Sequence, residues 1–463
     1  MSQTNSKPKP KVVIAGASGF IGQAVAAALS HDFELIGLSR SGVLQSPHFA
    51  EVRRADLFSL KDAESGLAGA DYGVYLVHSM LPSAALVQGH FADLDLLCAD
   101  NFARAAAKVG MKQIVYLGGL HPRGDRLSRH LHSRVEVALA LANTNVAVTH
   151  LRAGLILGAN GSSFQILRRL VHRLPMMLCP SWTSTRMQPV ALDDVVAAVG
   201  TLLGDATAFD RTYDLGAPEV VTYRQLLLRT AAAMGVQRRC LPVPLFSPRL
   251  SRLWVSLTTG APKSLVAPLV ESLKHEMIAD PDKLWVNPSP TSIDEALRQA
   301  LTEPVTRQPR AFIGTRKGAP TVRSVQRMTL PKARDAAWAL EAYIKWLPRA
   351  LSGLLTVKLS DDDQVHFRLF GFGPPLLVLQ PLRHRSDNSR QVLRVIGGLL
   401  AKETFRGRLE FRQVPDENTL IAAIHEYEPT LPWWLYRLTQ AQFHRWVMSR
   451  FARYLKHVGR HQM

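Results

Sequence analysis

The sequence predicts an α/β fold, a doubly wound parallel sheet, followed by a separate α+β domain. Three observations carry this. A glycine-spaced turn joins an apolar run to a helix-forming run at the start of the chain. From Lys11 to about Ala153, short β-rich runs alternate with helical patterns, as βαβ units require. After Pro309 the alternation gives way to successive β-like runs and one long terminal helix.

The first element is the run Lys11-Val12-Val13-Ile14-Ala15, a buried strand. It enters Gly16-Ala17-Ser18-Gly19-Phe20-Ile21-Gly22 and then a helix ending at Leu29. Backbone N–H groups and the helix dipole at such a junction favour a dinucleotide pyrophosphate. Gly16 allows the sharp turn, Gly19 lets the backbone approach phosphate, and Gly22 lets the helix pack close on the sheet. Further strands are expected at Glu34 to Ser39, Glu51 to Asp56, Tyr72 to His78, Gln113 to Leu117 and Val146 to Leu151. Helices are expected at Leu60 to Ser65, Phe91 to Val109 and Ser128 to Leu141. Right-handed crossovers then place the ligand crevice at the carboxyl ends of the strands.

From Ala153 to about Glu303 the pattern becomes irregular and reads as a substrate lobe, with helices near Ser163 to Arg173, Asp193 to Leu203, Tyr223 to Met234 and Leu265 to Ile278. Asn287-Pro288-Ser289-Pro290 and the Pro/Arg-rich Glu303 to Arg310 mark a boundary. Beyond it, a helix at Lys332 to Lys345 precedes β runs at Val365 to Phe370, Leu376 to Leu379, Val392 to Leu400, Gly407 to Val414 and Leu420 to Tyr427. The last helix begins near Thr439 and repeats Phe443, Trp446, Val447, Phe451, Tyr454 and Val458 at helical spacing. Core packing against a curved antiparallel sheet is the expected role of that stripe, with a membrane-surface helix as the rival. The division expected is a flexible tail over residues 1–10, a dinucleotide-binding domain over 11–303 and a basic α+β domain over 304–463.

Composition limits the function classes. The 463 residues exceed one ordinary core, and no apolar run reaches the ~20 residues of a membrane span. Met1 to Pro10 lack the apolar stretch of a signal peptide. Cys98, Cys179 and Cys240 are too few and too dispersed for a disulfide framework or a thiolate metal site, so a reducing cytoplasm fits. Of the net charge of +19, most lies after Val305, where 26 Lys and Arg face 12 Asp and Glu. This excess suits a protein partner or an anionic membrane, such as the inner membrane's surface. Nucleic acid is disfavoured, because no recognition motif accompanies the charge.

Several motifs together resemble atypical, extended short-chain dehydrogenase/reductases, close to NmrA-like NAD(P)-binding proteins and the accessory NAD(P)H subunit of respiratory complex I. They are the glycine turn, Asp56-Leu57, Asn101 with Ala105 to Ala107, Ile114 to Leu120, and Leu151-Arg152-Ala153-Gly154. The likeness covers about residues 11–303 and implies a Rossmann domain. Leu393 to Gly398, Gly407 to Phe411 and Pro432 to Tyr436 resemble a domain of unknown function fused behind such reductases, similar to helix-grip proteins of the START and polyketide-cyclase type. That second resemblance implies an apolar ligand.

The resemblance implies that Asp56 sits by the adenine with Leu57 on its ring. It also implies that Val77, His78 and Ser79 belong to the loop over the cofactor's middle, and that Ala153 and Gly154 approach the nicotinamide side. At the end of the second strand an acid would select NAD(H), whereas Ser39-Arg40 offers a guanidinium to a 2′-phosphate and favours NADP(H). The family's Tyr-x-x-x-Lys is absent: no tyrosine is followed four residues later by Lys. His130 stands where Tyr is expected and Arg134 where Lys is expected, while Gly119, after Gly118, falls near the expected Ser. The other histidines, His121 and His132 among them, are read as lacking ligand spacing with a carboxylate partner, so no metal site is expected. Two functions remain open. One is an NADP(H)-dependent reductase of an apolar carbonyl, quinone or sugar-like substrate. The other is a non-catalytic NADP(H)-binding sensor or assembly factor that docks through its basic last domain.

Overall fold

The computed structural model describes residues 8–78, 86–122, 127–243, 272–305, 321–360, 362–404 and 406–461. Contacts divide these into two units. The first holds the described residues up to 78 and from 95 to 305; the second holds 86–94 and everything from 321 on.

In the first unit, β1 (Lys11–Ala15), β2 (Glu34–Ser39), β3 (Glu51–Arg54), β4 (Tyr72–Tyr75), β5 (Gln113–Gly119), β6 (Ala147–Ala153) and β7 (Thr212–Leu215) form one sheet in the order β7-β6-β5-β4-β1-β2-β3. Every neighbouring pair is parallel. The order reverses between β1 and β4, the switch point where an open parallel sheet leaves a crevice. Val12 to Ala15 have no exposed surface, as a strand covered on both faces demands. The crossover helices are α1 (Phe20–Leu29), α2 (Leu60–Leu67), α3 (Phe91–Val109) and α4 (Arg129–Ala142). The lobe adds α5 (Ser162–Arg173), α6 (Leu192–Leu202), α7 (Tyr223–Ala233) and α8 (Ile293–Thr302). Starts are set by local chemistry: Ser59, Ser128 and Ser292 cap α2, α4 and α8, and Thr222 forms a capping box with Gln225 on α7.

Two expectations for the lobe are corrected. The helix expected at Leu265 to Ile278 lies outside the described residues up to 271, but it does not reach Ile278. Met277 is extended, donating to the Arg186 carbonyl at 3.1 Å and accepting from Gln188 N–H at 2.7 Å. Residues 212–215, read as irregular, return to the sheet as β7. A buried ion pair secures this edge: Arg152 Nε lies 2.5 Å from Asp214 Oδ1, across a direct β6–β7 register.

The second unit holds β8 (Val322–Thr329), β9 (Leu355–Leu359), β10 (Val365–Leu369), β11 (Leu377–Pro381), β12 (Arg390–Gly397), β13 (Arg408–Gln413) and β14 (Thr419–Tyr427). Strands β9 to β14 form an antiparallel meander, β8 closes beside β14, and a short strand, Leu86–Gln88, pairs in parallel with β8. Helix α9 (Ala336–Ala350), capped by Asp335, starts four residues later than expected, and β8 and β9 were not anticipated. The apolar face carries Leu393, Leu409, Phe411 and Ala422. Against it pack two helices rather than one, α9 and α11 (Gln440–Arg460), through Tyr343, Phe451 and Leu455. The Tyr343 and Phe451 rings meet edge to face at 5.1 Å. The other face carries a buried polar group: Glu410 accepts from Arg390 at 3.1 Å, Arg408 at 2.6 Å and Arg412 at 2.9 Å. Among the described residues no helix is long and apolar enough to cross a membrane.

Candidate dinucleotide site

Gly16 leaves β1 with φ of +94°, the left-handed region that side chains rarely adopt. Its amide neighbour closes the turn, Gly19 N–H donating to the Gly16 carbonyl at 2.9 Å. A Cβ on Gly16 would press on the Leu76 backbone at 3.1 Å, and one on Gly22 would collide with the Gly16 carbonyl oxygen. Gly16 and Gly22 are therefore required by backbone conformation and crowding, and Gly19 sits tight against the Gly16 carbonyl at 3.1 Å. They leave a helix start at Gly19 with no side-chain cap, as at α5 and α6 but unlike α2 and α4. Ser18 is exposed above the turn and Ile21 is half-buried; Phe20 turns toward the lobe, close enough that a Cβ on Gly158 would sit 2.8 Å from its ring. An uncapped N-terminus above an open glycine turn fits a pyrophosphate.

The other expected positions follow the carboxyl ends of successive strands. Ser39 closes β2, its hydroxyl 3.0 Å from that of Ser41 and donating to the Val43 carbonyl at 3.0 Å. Arg40 is exposed. Opposite Ser39 in the parallel register stands Arg54, the last residue of β3, also exposed and lying along the Gly42 turn. Among the described residues neither guanidinium has an ion-pair partner. Arg54 was not anticipated; only the β2–β3 register brings it opposite Ser39, the residue before Arg40. Asp56 turns its carboxylate to Phe58 N–H at 3.2 Å, and buried Leu57 is fixed by Asn101, whose Nδ2 donates to its carbonyl at 2.9 Å. Val77 and His78 follow β4, half-buried; Ser79 lies outside the described residues. Gly118 and Gly119 end β5, where a Cβ on Gly118 would strike His150 Nε2 at 2.5 Å. Ala153 ends β6 and Gly154 follows it, close under the Gln188 carbonyl.

Behind this row lies a polar cluster centred on Asp95, which is 2 % exposed. Its carboxylate takes His78 Nδ1 at 2.9 Å and the Nη2 of Arg134, a buried guanidinium whose Nε has no partner among the described residues. Tyr116 lies against Arg134, its hydroxyl donating to the Arg134 carbonyl at 3.4 Å, and burial pushes that phenol up to about 12. The His130 ring stands 5.4 Å from His78. Burial, then the Arg134 charge, pushes the His130 imidazole down to about 4, so it is neutral at pH 7. His130 and Arg134 lie one turn apart on α4, near enough for the Arg134 charge to act on the imidazole. Arg134, however, neutralises the carboxylate of Asp95, which nothing in the local sequence marks as its partner.

No protein-family model matches the chain. The auxiliary protein GraX of Staphylococcus aureus is 29 % identical over 123 residues, which are 26 % of this chain and 40 % of GraX. The chain thus spans well under half of that relative. Triphenylmethane reductase from Citrobacter sp. superposes with a TM-score of 0.51 at 20 % identity, over 64 % of this chain and all of the reductase. Its structure complexed with NADP(H) superposes at 0.50, with 20 % identity over 63 % of this chain and the whole of that one. A nucleoside-diphosphate-sugar epimerase from Staphylococcus aureus gives 0.51 at 15 % identity, over 62 % of this chain and 99 % of the epimerase. The first unit has a Rossmann fold. At these identities the likeness is one of fold.

Proposed function

We propose that the first unit binds NADP(H) and works as an oxidoreductase on an apolar carbonyl, quinone or sugar-like compound. The observation that carries the reading is the junction of the uncapped Gly16–Gly22 turn with two exposed arginines, Arg40 and Arg54, one strand apart at the sheet's carboxyl edge. The turn suits a pyrophosphate, and a guanidinium pair suits a 2′-phosphate better than a ribose hydroxyl. The superposable reductase complexed with NADP(H) supports the same cofactor.

When bound, the nicotinamide gives or takes hydride; the chain must orient the substrate and handle a proton. His130, neutral at pH 7, suits an acceptor or a weak N–H donor rather than a cationic acid, and Arg134 acts as a positioning residue through Asp95. These same facts favour a second reading, a non-catalytic NADP(H) sensor, because no Tyr-x-x-x-Lys is present. NADPH fluorescence titration followed by absorbance assays with quinones and aldehydes separates the two. Turnover that His130→Ala reduces supports the enzyme. Tight binding with no turnover on any acceptor supports the sensor. Absence of NADPH binding sinks both.

A further inference from the structure

The second unit carries an apolar edge that its core does not use. On α10 (Trp433–Leu438), Trp434 is 65 % and Leu438 71 % exposed; on α11, Phe443 is 50 % and Trp446 43 % exposed. Ala441, Met448, Phe451 and Leu455 bury the opposite side of α11 in the core. The expected aromatic stripe is therefore divided, with Val447 and Phe451 inside and Phe443 and Trp446 stacked outside at 5.7 Å.

The turn between β10 and β11 extends this edge. Phe370 and Phe372 are both exposed, with rings 6.2 Å apart. Hydrogen bonds link the end of that turn, through the loop after β12, to the segment that leads into α10. Leu399 N–H donates to the Pro375 carbonyl at 3.1 Å, and Thr430 Oγ1, just before α10, donates to the Leu399 carbonyl at 2.5 Å. Phe370 has φ of +50°, a strained conformation for an aromatic residue. It gains no burial in return, which points to a role outside the chain.

Charge identifies the occupant. From Trp433 to Arg460 there are six Lys and Arg and no Asp or Glu. Arg437, Arg445, Arg450, Arg453, Lys456 and Arg460 are all exposed, and the Arg450 guanidinium lies 5.0 Å from the Trp446 ring centre. Tryptophan and phenylalanine mixed with arginine, without an acid to repel phosphate, match the headgroup layer of an anionic bilayer. We propose that this edge is a peripheral membrane-docking surface. The aromatic residues of α10, α11 and the β10–β11 turn enter the interface, and the α11 cations meet lipid phosphates.

The test is sedimentation of the full-length protein with vesicles of phosphatidylcholine alone and of equimolar phosphatidylcholine and phosphatidylglycerol, at low and high salt. The expected result is binding to the anionic vesicles that weakens with salt and is about tenfold poorer without phosphatidylglycerol. Phe370→Ser/Phe372→Ser and Trp434→Ser/Trp446→Ser should each weaken it about tenfold or more, with unchanged thermal unfolding. If an aromatic pair misfolds, Arg450→Glu/Arg453→Glu gives the same readout from the exposed face. Failure to bind anionic vesicles at low salt overturns the proposal, as does binding that none of these variants weakens. Lipid-free self-association abolished by Trp446→Ser also overturns it, assigning the edge to a second copy.

Discussion

Removing Asp95 gives the sharpest test of how the cluster behind the crevice is held. The carboxylate is 2 % exposed and compensates Arg134, whose side chain is 8 % exposed. Asp95→Ala leaves a buried guanidinium facing a cavity, and breaking a buried pair from one side costs about 3–5 kcal/mol. For a unit of this size each kcal/mol lowers Tm by about 2–4 °C, so the loss should be roughly 6–20 °C. Asp95→Asn, which keeps the hydrogen bonds but not the charge, should lie between wild type and alanine. The informative variant is the double, Asp95→Leu/Arg134→Met. With both charges gone the penalty of an unpaired ion disappears, and the double should be more stable than Asp95→Ala despite carrying two substitutions. Thermal and urea unfolding measure these proteins together with the single variants Asp95→Leu and Arg134→Met, which complete the cycle. A loss below about 1 kcal/mol for Asp95→Ala, or strictly additive losses in the cycle, would refute the pairing as the source of the cluster's rigidity.

Three further outcomes follow from the site. Arg40→Ala and Arg54→Ala should each weaken NADPH by about ten- to a hundredfold, the value of a charge-assisted contact, while NADH titrations change little; equal losses for both cofactors remove the 2′-phosphate assignment. Gly22→Ala places a Cβ against the Gly16 carbonyl, a backbone group that cannot swing aside. It should cost about 1–3 kcal/mol in unfolding and lower dinucleotide affinity together, and a neutral substitution would refute the close approach of Gly22 to the Gly16 carbonyl. Burial holds His130 down to about 4 and His150 to about 3, below the ordinary imidazole value, so the unfolded chain takes up their protons first. Their contribution is complete above about pH 6.5 and is lost as pH falls toward about 4 for His130 and about 3 for His150, by up to about 1.4 kcal/mol per pH unit for each group. Denaturant midpoints that do not fall between pH 7 and pH 5, or that fall equally in His150→Gln, would contradict this.

Much of the first unit was legible because its signals are local. The Gly16–Gly22 spacing, the apolar run of β1 and the bounds of α3 depend on neighbours in sequence and appear where expected. The residues that were missed depend on register and burial. Arg54 matters because β3 lies parallel to β2 one strand over, and nothing in Glu51-Val52-Arg53-Arg54 states that pairing. Asp95 sits among Leu94, Leu96 and Leu97, where an acid normally marks the wet side of a helix; its partners lie 17 and 39 residues away. Strand β8 has its apolar residues, Val322, Val325 and Met328, three apart rather than two, and it carries Arg323 and Arg327, which read as a solvent face. Here Arg323 is only 2 % exposed.

The short strand Leu86–Gln88 also bears on how the chain comes to be folded. It lies in sequence between β4 and β5 of the Rossmann sheet, yet it completes the sheet of the other unit, with Gln88 accepting from Ser324 at a separation of 236 residues. The second unit is therefore not an appendage that a single cut would release whole. During synthesis, residues 86–88 emerge early and wait for β8, which is made after the whole of the first sheet. The edge they will cover is exposed only on the late product, and a fragment beginning after residue 305 carries that edge bare. Such a fragment should associate through β8, the ordinary fate of an uncovered strand.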